Sequence, residues 1–259
     1  MRDGYGRNKL FFLVILSMVG ILLMPYGILG KPGRSTGKNN EESTSDIVDS
    51  VAVDSVTVDS VVEIAVKDTA QNVIYASGNG VVLEMNEKEI CIVTAGHVLD
   101  RVAEDKQVVV GFRDPENWTH DAEFEIVCDR YETVWDADLA FLFLTRAELE
   151  KEKLQPQKVS VAEKQDYDGL KAGDTVRTIG WDEGQKVVYE GELQENWIFV
   201  EDFSQYMMLA ECVMRPGMSG CGLYNAQDQL IGIACGGNEA GQLAAVPLHV
   251  VQTGRGEMD

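Results

Sequence analysis

The chain is poor in positive charge. Its 22 Lys and Arg face 43 Asp and Glu, which leaves a net charge of −21 at pH 7. Nearly all of the excess lies beyond residue 59. A surface of this sign repels nucleic acid and anionic lipid headgroups, so nucleic-acid binding is set aside. Such acidity ordinarily serves solubility. Steering of basic substrates is the sharper alternative, and it needs a local patch that the sequence does not locate. Histidine is scarce too. His97, His120 and His249 lie far apart, and no Cys/His cluster has metal-ligand spacing. Nothing here argues for a metal or another cofactor. The cysteines, Cys91, Cys128, Cys212, Cys221 and Cys235, include no C-x-x-C pair. Their number is odd, so they cannot all pair within one chain.

What is present begins with an apolar run. Residues 10–30, LFFLVILSMVGILLMPYGILG, contain no charged side chain and are long enough to cross a bilayer as a helix. An A-x-A-like cleavage site is missing, which favours an uncleaved anchor over a signal peptide removed on secretion. The expectation is a cytoplasmic segment at 1–9, a transmembrane helix at 10–30 and a single-pass chain whose acidic part lies outside. A secreted chain is the alternative. Residues 31–57 read as a flexible linker, polar and then built on a VDSVx repeat whose period suits neither helix nor strand.

From about residue 58 the pattern changes to short β-rich runs, among them VVEIAV, EICIVTA, LAFLFL, DTVRTIGW and LIGIACGG. Gly, Asn, Asp or Pro lies near many of their ends. Many short strands with few helices predict an all-β barrel or sandwich. The one good helical stretch, RAELEKEKL at 146–154, falls between two groups of strands and reads as the connection between two halves.

Three segments carry chemistry. In IVTAGHV an apolar strand ends in small residues and then His97, the side chain suited to taking a hydroxyl proton near neutral pH. In DADLAFLFL an acid abuts a strongly apolar strand. Asp138 directly precedes the run and is placed to orient an imidazole, whereas Asp136 suits a solvated turn. In RPGMSGCG, glycines flank Ser219 and permit the sharp backbone that exposes a nucleophilic hydroxyl. Each segment alone is weak evidence. An α/β-hydrolase elbow would run into a long helix, but strand-like CGLYN and LIGIACGG follow instead.

Together, in the order His, Asp, Ser within an all-β chain, the segments resemble the trypsin-like, chymotrypsin-fold serine peptidases, and the bacterial HtrA-type branch most. SGNGV at 77–81, LKAGDTV at 170–176 with its following IG, LIGI at 230–233 and AVP at 245–247 add to the likeness. It implies two six-stranded antiparallel β-barrels, at about 58–150 and 160–254, with a cleft between them. It implies a triad of His97, Asp138 and Ser219, an oxyanion hole from the amides of Gly217 and Ser219, and no cofactor. Protein or peptide substrates follow, cleaved through an acyl-enzyme. A catalytically silent binding or sensing module at the cell surface is the competing reading. No peptide-binding domain of the HtrA type is expected behind the barrels, and Cys221 replaces the usual second glycine after the serine.

By the same resemblance Val213 and the segment Ala234, Cys235, Gly236 wall the primary specificity pocket. With no acid at Val213, the expected preference is a small or medium apolar side chain before the cleaved bond. A Cys212–Cys235 disulfide and a pair of buried thiols are the two alternatives around that pocket.

Overall fold

A computed structural model describes residues 59–250, apart from 69, 72, 104, 114–122, 183 and 239–240. The expected transmembrane helix, the linker repeat and His120 lie outside the described residues. Among the described residues no helix is long and apolar enough to cross a membrane.

The fold is all-β and antiparallel, with thirteen strands in two sheets among the described residues. The first sheet holds β1 (Val61–Asp68), β2 (Val73–Met85), β3 (Glu89–Ala95), β4 (Gln107–Arg113), β5 (Glu123–Val127), β6 (Arg130–Val134) and β7 (Leu139–Thr145). The second holds β8 (Thr175–Asp182), β9 (Gln185–Val200), β10 (Gln205–Glu211), β11 (Gly222–Asn225), β12 (Leu230–Gly237) and β13 (Gln242–Pro247). The connection carries two short helices, α1 (Arg146–Lys151) and α2 (Lys164–Asp168). Helix α1 begins at a capping box. The Thr145 hydroxyl accepts from the Glu148 amide, and the Glu148 carboxylate accepts from the Thr145 amide.

The second sheet closes as a six-stranded barrel in the order β10-β13-β12-β11-β8-β9. The first does not. It is a seven-stranded sheet in the order β5-β4-β1-β2-β3-β7-β6, so the expectation of two closed six-stranded barrels is corrected. Its two edge strands are consecutive in the chain, joined only by Cys128 and Asp129. The sheet therefore curls until its edges meet at one corner, but no ladder joins β5 to β6. Cys128 fills that corner. Its amide donates to Val108 O at 2.8 Å and its thiol sits beside Arg130 O and Phe143 O.

The strand interiors explain the rest. β7 is buried along Leu139–Leu144 and β12 along its whole length, because each is covered on both faces. The buried apolar residues of both sheets merge in a single core. All five cysteines lie in that interior as free thiols. Cys212 faces Thr178 Oγ1 and Tyr189 O, while Cys235 faces Asp138 O and Ile233 O, so the buried-thiol alternative holds.

Candidate active site

Strand pairing places the histidine next to the aspartate. β3 and β7 run antiparallel with Ala95 opposite Leu139, so the residues just past each strand meet. A 3-10 turn, Gly96–Leu99, then carries His97, and a second, Trp135–Ala137, delivers Asp138. Asp138 has φ 50° and ψ 47°, a left-handed conformation that Asp and Asn tolerate better than most residues. The backbone closes the junction, with Gly96 N donating to Asp138 O at 2.9 Å.

The side chains form a continuous hydrogen-bonded chain. His97 Nδ1 lies 2.9 Å from Asp138 Oδ2 and 3.1 Å from Oδ1. The His97 amide also donates to Asp138 Oδ1 at 2.8 Å. On the other side of the ring, Nε2 lies 2.8 Å from Ser219 Oγ. With the ring proton on Nδ1, the carboxylate accepts it and Nε2 is free to accept from the serine hydroxyl. All three side chains are largely buried. Asp136 is exposed and outside this network.

Ser219 projects from a tight turn between β10 and β11. Gly217 and Gly220 flank it with φ +91° and +89°. At Gly220 any side chain would also collide, since a Cβ would sit 2.0 Å from Asn79 O and 2.4 Å from Thr94 Oγ1. Internal bonds from Met218 N to Arg215 O and from Cys221 N to Met218 O hold the turn. Gly220 N reaches Ala234 O on β12. Among the described residues neither the Gly217 nor the Ser219 amide donates a hydrogen bond. Arg215 anchors the start of the turn by an ion pair with Asp182 at 3.0 Å.

Asn79 on β2 is a residue that the motifs did not single out. Its side-chain nitrogen donates to Gly217 O at 2.8 Å and to Trp181 O at 3.0 Å, and its Oδ1 accepts from Trp181 N at 2.6 Å. Its own amide donates to Ser219 O at 2.6 Å. A buried amide in the S-G-N-G strand was the available signal, but its partners lie more than a hundred positions away.

The predicted pocket residues are distributed unevenly. Val213 is part-exposed, while Ala234 and Cys235 are buried, the Cys235 thiol turned to the Asp138 carbonyl. Two side chains absent from the expectation border the same segment. The Phe203 ring lies against Gly236, and Met214 packs against Gly237.

A β-only fold with this serine, histidine and aspartate defines a class, and the comparisons agree. The family model for a trypsin-like peptidase domain matches residues 78–233. The chain belongs to that family. In structure it is similar to Deg5, with a TM-score of 0.59 and 19% identity over 77% of this chain and 88% of that one. It is similar also to the HtrA-type protease AlgW, solved as a serine-to-alanine variant with a tripeptide. There the TM-score is 0.57 and the identity 19%, over 77% of this chain and 61% of that one. No curated protein matches the sequence.

Proposed function

We propose that this chain is a serine endopeptidase acting through Ser219, His97 and Asp138. The observation that carries the reading is the unbroken bond chain from Asp138 through both ring nitrogens of His97 to Ser219 Oγ, at 2.9 and 2.8 Å. In this reading Ser219 Oγ attacks a peptide carbonyl while Nε2 takes its proton. Asp138 holds the tautomer and stabilises the imidazolium. The amides of Gly217 and Ser219, without acceptors among the described residues, receive the developing oxyanion. His97 returns the proton to the leaving amine, and water then hydrolyses the acyl-enzyme. No cofactor enters any step.

Val213, Phe203 and Met214 support a preference for a small or medium apolar side chain before the cleaved bond. The uncharged run at 10–30 and the acidic domain behind it support a single-pass chain with the peptidase outside the cytoplasm. A fluorophosphonate probe tests the central claim. It is expected to label the full chain at Ser219, and Ser219→Ala and His97→Ala are expected to abolish labelling. A folded chain that stays unlabelled overturns the reading and leaves a silent binding module.

A further inference from the structure

One long stretch of the chain carries acid with no basic residue among it. Between Lys186 and Arg215 the chain holds no lysine, arginine or histidine, while Glu190, Glu192, Glu195, Glu201, Asp202 and Glu211 all fall there. This stretch is β9 and β10. The β8 ladder on β9 ends at Glu192, so residues 195–200 of β9 pair only with β10 and form a two-stranded ribbon beyond the barrel. Register shifts between Met207 and Leu209 and between Leu209 and Ala210 bend and twist it.

The ribbon displays aromatic rings in water. Trp197, Phe199 and Tyr206 are 46%, 50% and 48% exposed. Trp197 stacks on Tyr206 with centroids 4.9 Å apart and planes 4° apart, and Phe199 meets Tyr206 edge-on at 5.4 Å. His249 continues the row 4.7 Å from Trp197. Beside them opens a cavity of about 630 Å³ lined by Tyr167, Asp168, Trp197 and His249. Contiguous exposed apolar surface of this kind usually marks a contact site.

Charge says what fits it. Glu192, Glu195 and Glu201 have no cationic partner among the described residues, whereas Arg177 pairs Glu190 and Lys164 pairs Asp168. Burial holds the His249 imidazole below its usual range, so the aromatic row gains little positive charge near neutral pH. Flat π faces among uncompensated carboxylates attract a guanidinium or ammonium group through both the ring quadrupole and simple Coulomb attraction. The same field repels an anionic membrane. The ribbon also abuts the triad. Gln205 Nε2 donates to Ala137 O at 3.4 Å, next to Asp138, and Phe203 lies against Gly236.

We propose that the β9–β10 ribbon is an exosite that binds a basic segment of the protein substrate, seating Arg or Lys side chains on the Trp197 and Tyr206 rings. The proposal rests on the peptidase reading, which supplies the substrate, but its test does not. The full chain carrying Ser219→Ala is titrated with a fluorescent peptide of about twelve residues alternating Arg and Leu, and with the Glu-for-Arg counterpart. The Arg peptide is expected to bind and the Glu peptide not to. Trp197→Ala with Tyr206→Ala is expected to weaken binding about tenfold or more, as is Glu195→Lys with Glu201→Lys, which leaves the rings in place. Equal binding of the two peptides, or unchanged binding by both double variants, overturns the exosite. So does unaltered Arg-peptide binding in a ring variant that has lost self-association or adhesion to phosphatidylglycerol vesicles. That result gives the face to a second copy or to lipid. Binding without fluorophosphonate labelling of the unsubstituted chain instead removes the peptidase reading alone.

Discussion

The side-chain amide of Asn79 donates to the Gly217 carbonyl at 2.8 Å, a bond between residues 138 positions apart that ties the first sheet to the turn bearing Ser219. The same nitrogen and its Oδ1 grip both backbone groups of Trp181 on β8. Fixing the Gly217 carbonyl limits rotation of the peptides around the proposed oxyanion site. Asn79→Ala is therefore expected to lower kcat about 10²-fold with little change in KM, a loss comparable to removing one oxyanion donor. Asn79→Asp adds a signature. A carboxylate still accepts from Trp181 N but faces two carbonyl oxygens, and protonation restores a donor. Its kcat should recover partly as pH falls, opposite to the loss that an imidazole base imposes. Unchanged kcat in both variants, with the fold intact, would show that the turn holds itself.

Gly180 and Cys221 form a second long-range pair. A Cβ on Gly180 would sit 2.0 Å from Cys221 Sγ and 3.0 Å from Asn79 Oδ1. The cysteine that replaces the family's second glycine thus occupies the space over Gly180. Gly180→Ala alone is expected to destabilise by about 1–3 kcal/mol through overpacking. Adding Cys221→Gly should return at least half of that loss, which denaturant titration of the single and double variants measures as a coupling. Additive losses would place the strain elsewhere.

These relationships explain what the sequence concealed. The three chemical motifs were legible because each combines a distinctive residue with its own strand end, and β3 pairs with β7 in the register that joins His97 to Asp138. Strand β6 was not, because RYETV buries no residue fully and has no apolar run. The last residues of β9 escaped for the opposite reason. NWIFV carries apolar side chains but its bulges break the two-residue alternation, and rings at 197 and 199 face water. The open first sheet, too, follows from a corner at Cys128 that no local pattern announces. Asn79 looked like one more residue of a glycine-rich strand, since polar clamps are defined by distant partners.

Lys186 makes stability depend on pH. Its side chain is largely buried, 3.9 Å from Asp59 and 5.5 Å from the Trp181 ring centroid. Burial pushes the ammonium down to about 8, with Asp59 opposing. The folded chain therefore holds this proton less tightly than the unfolded chain. Below about pH 8 both states are protonated and the cost of the buried charge is present in full. As pH rises from there towards the ordinary lysine value the cost disappears, so this group makes stability increase with pH. Discounted for partial exposure, Lys186→Met is expected to stabilise by about 1 kcal/mol at pH 7 and to flatten that rise. Chemical denaturation of both proteins from pH 7 to 10 reads the difference, and parallel curves would contradict the assignment.

Asp138 offers the sharpest separation of chemistry from stability. Asn tolerates the left-handed backbone at this position, so Asp138→Asn should fold with nearly unchanged Tm. The His97 amide bonds Oδ1 at 2.8 Å, which fixes the new side chain with its oxygen there and its NH2 towards His97 Nδ1. Nδ1 must then accept, and the ring proton moves to Nε2, where it faces Ser219 Oγ and blocks proton transfer. A fall in kcat of about 10⁴-fold is expected, with most of it regained at high pH only if Asp138 serves merely as a charge. Fluorophosphonate labelling rates across pH follow the same step directly. A variant that labels as fast as the unsubstituted chain would mean that the carboxylate does not set the histidine tautomer, however short the bond between them.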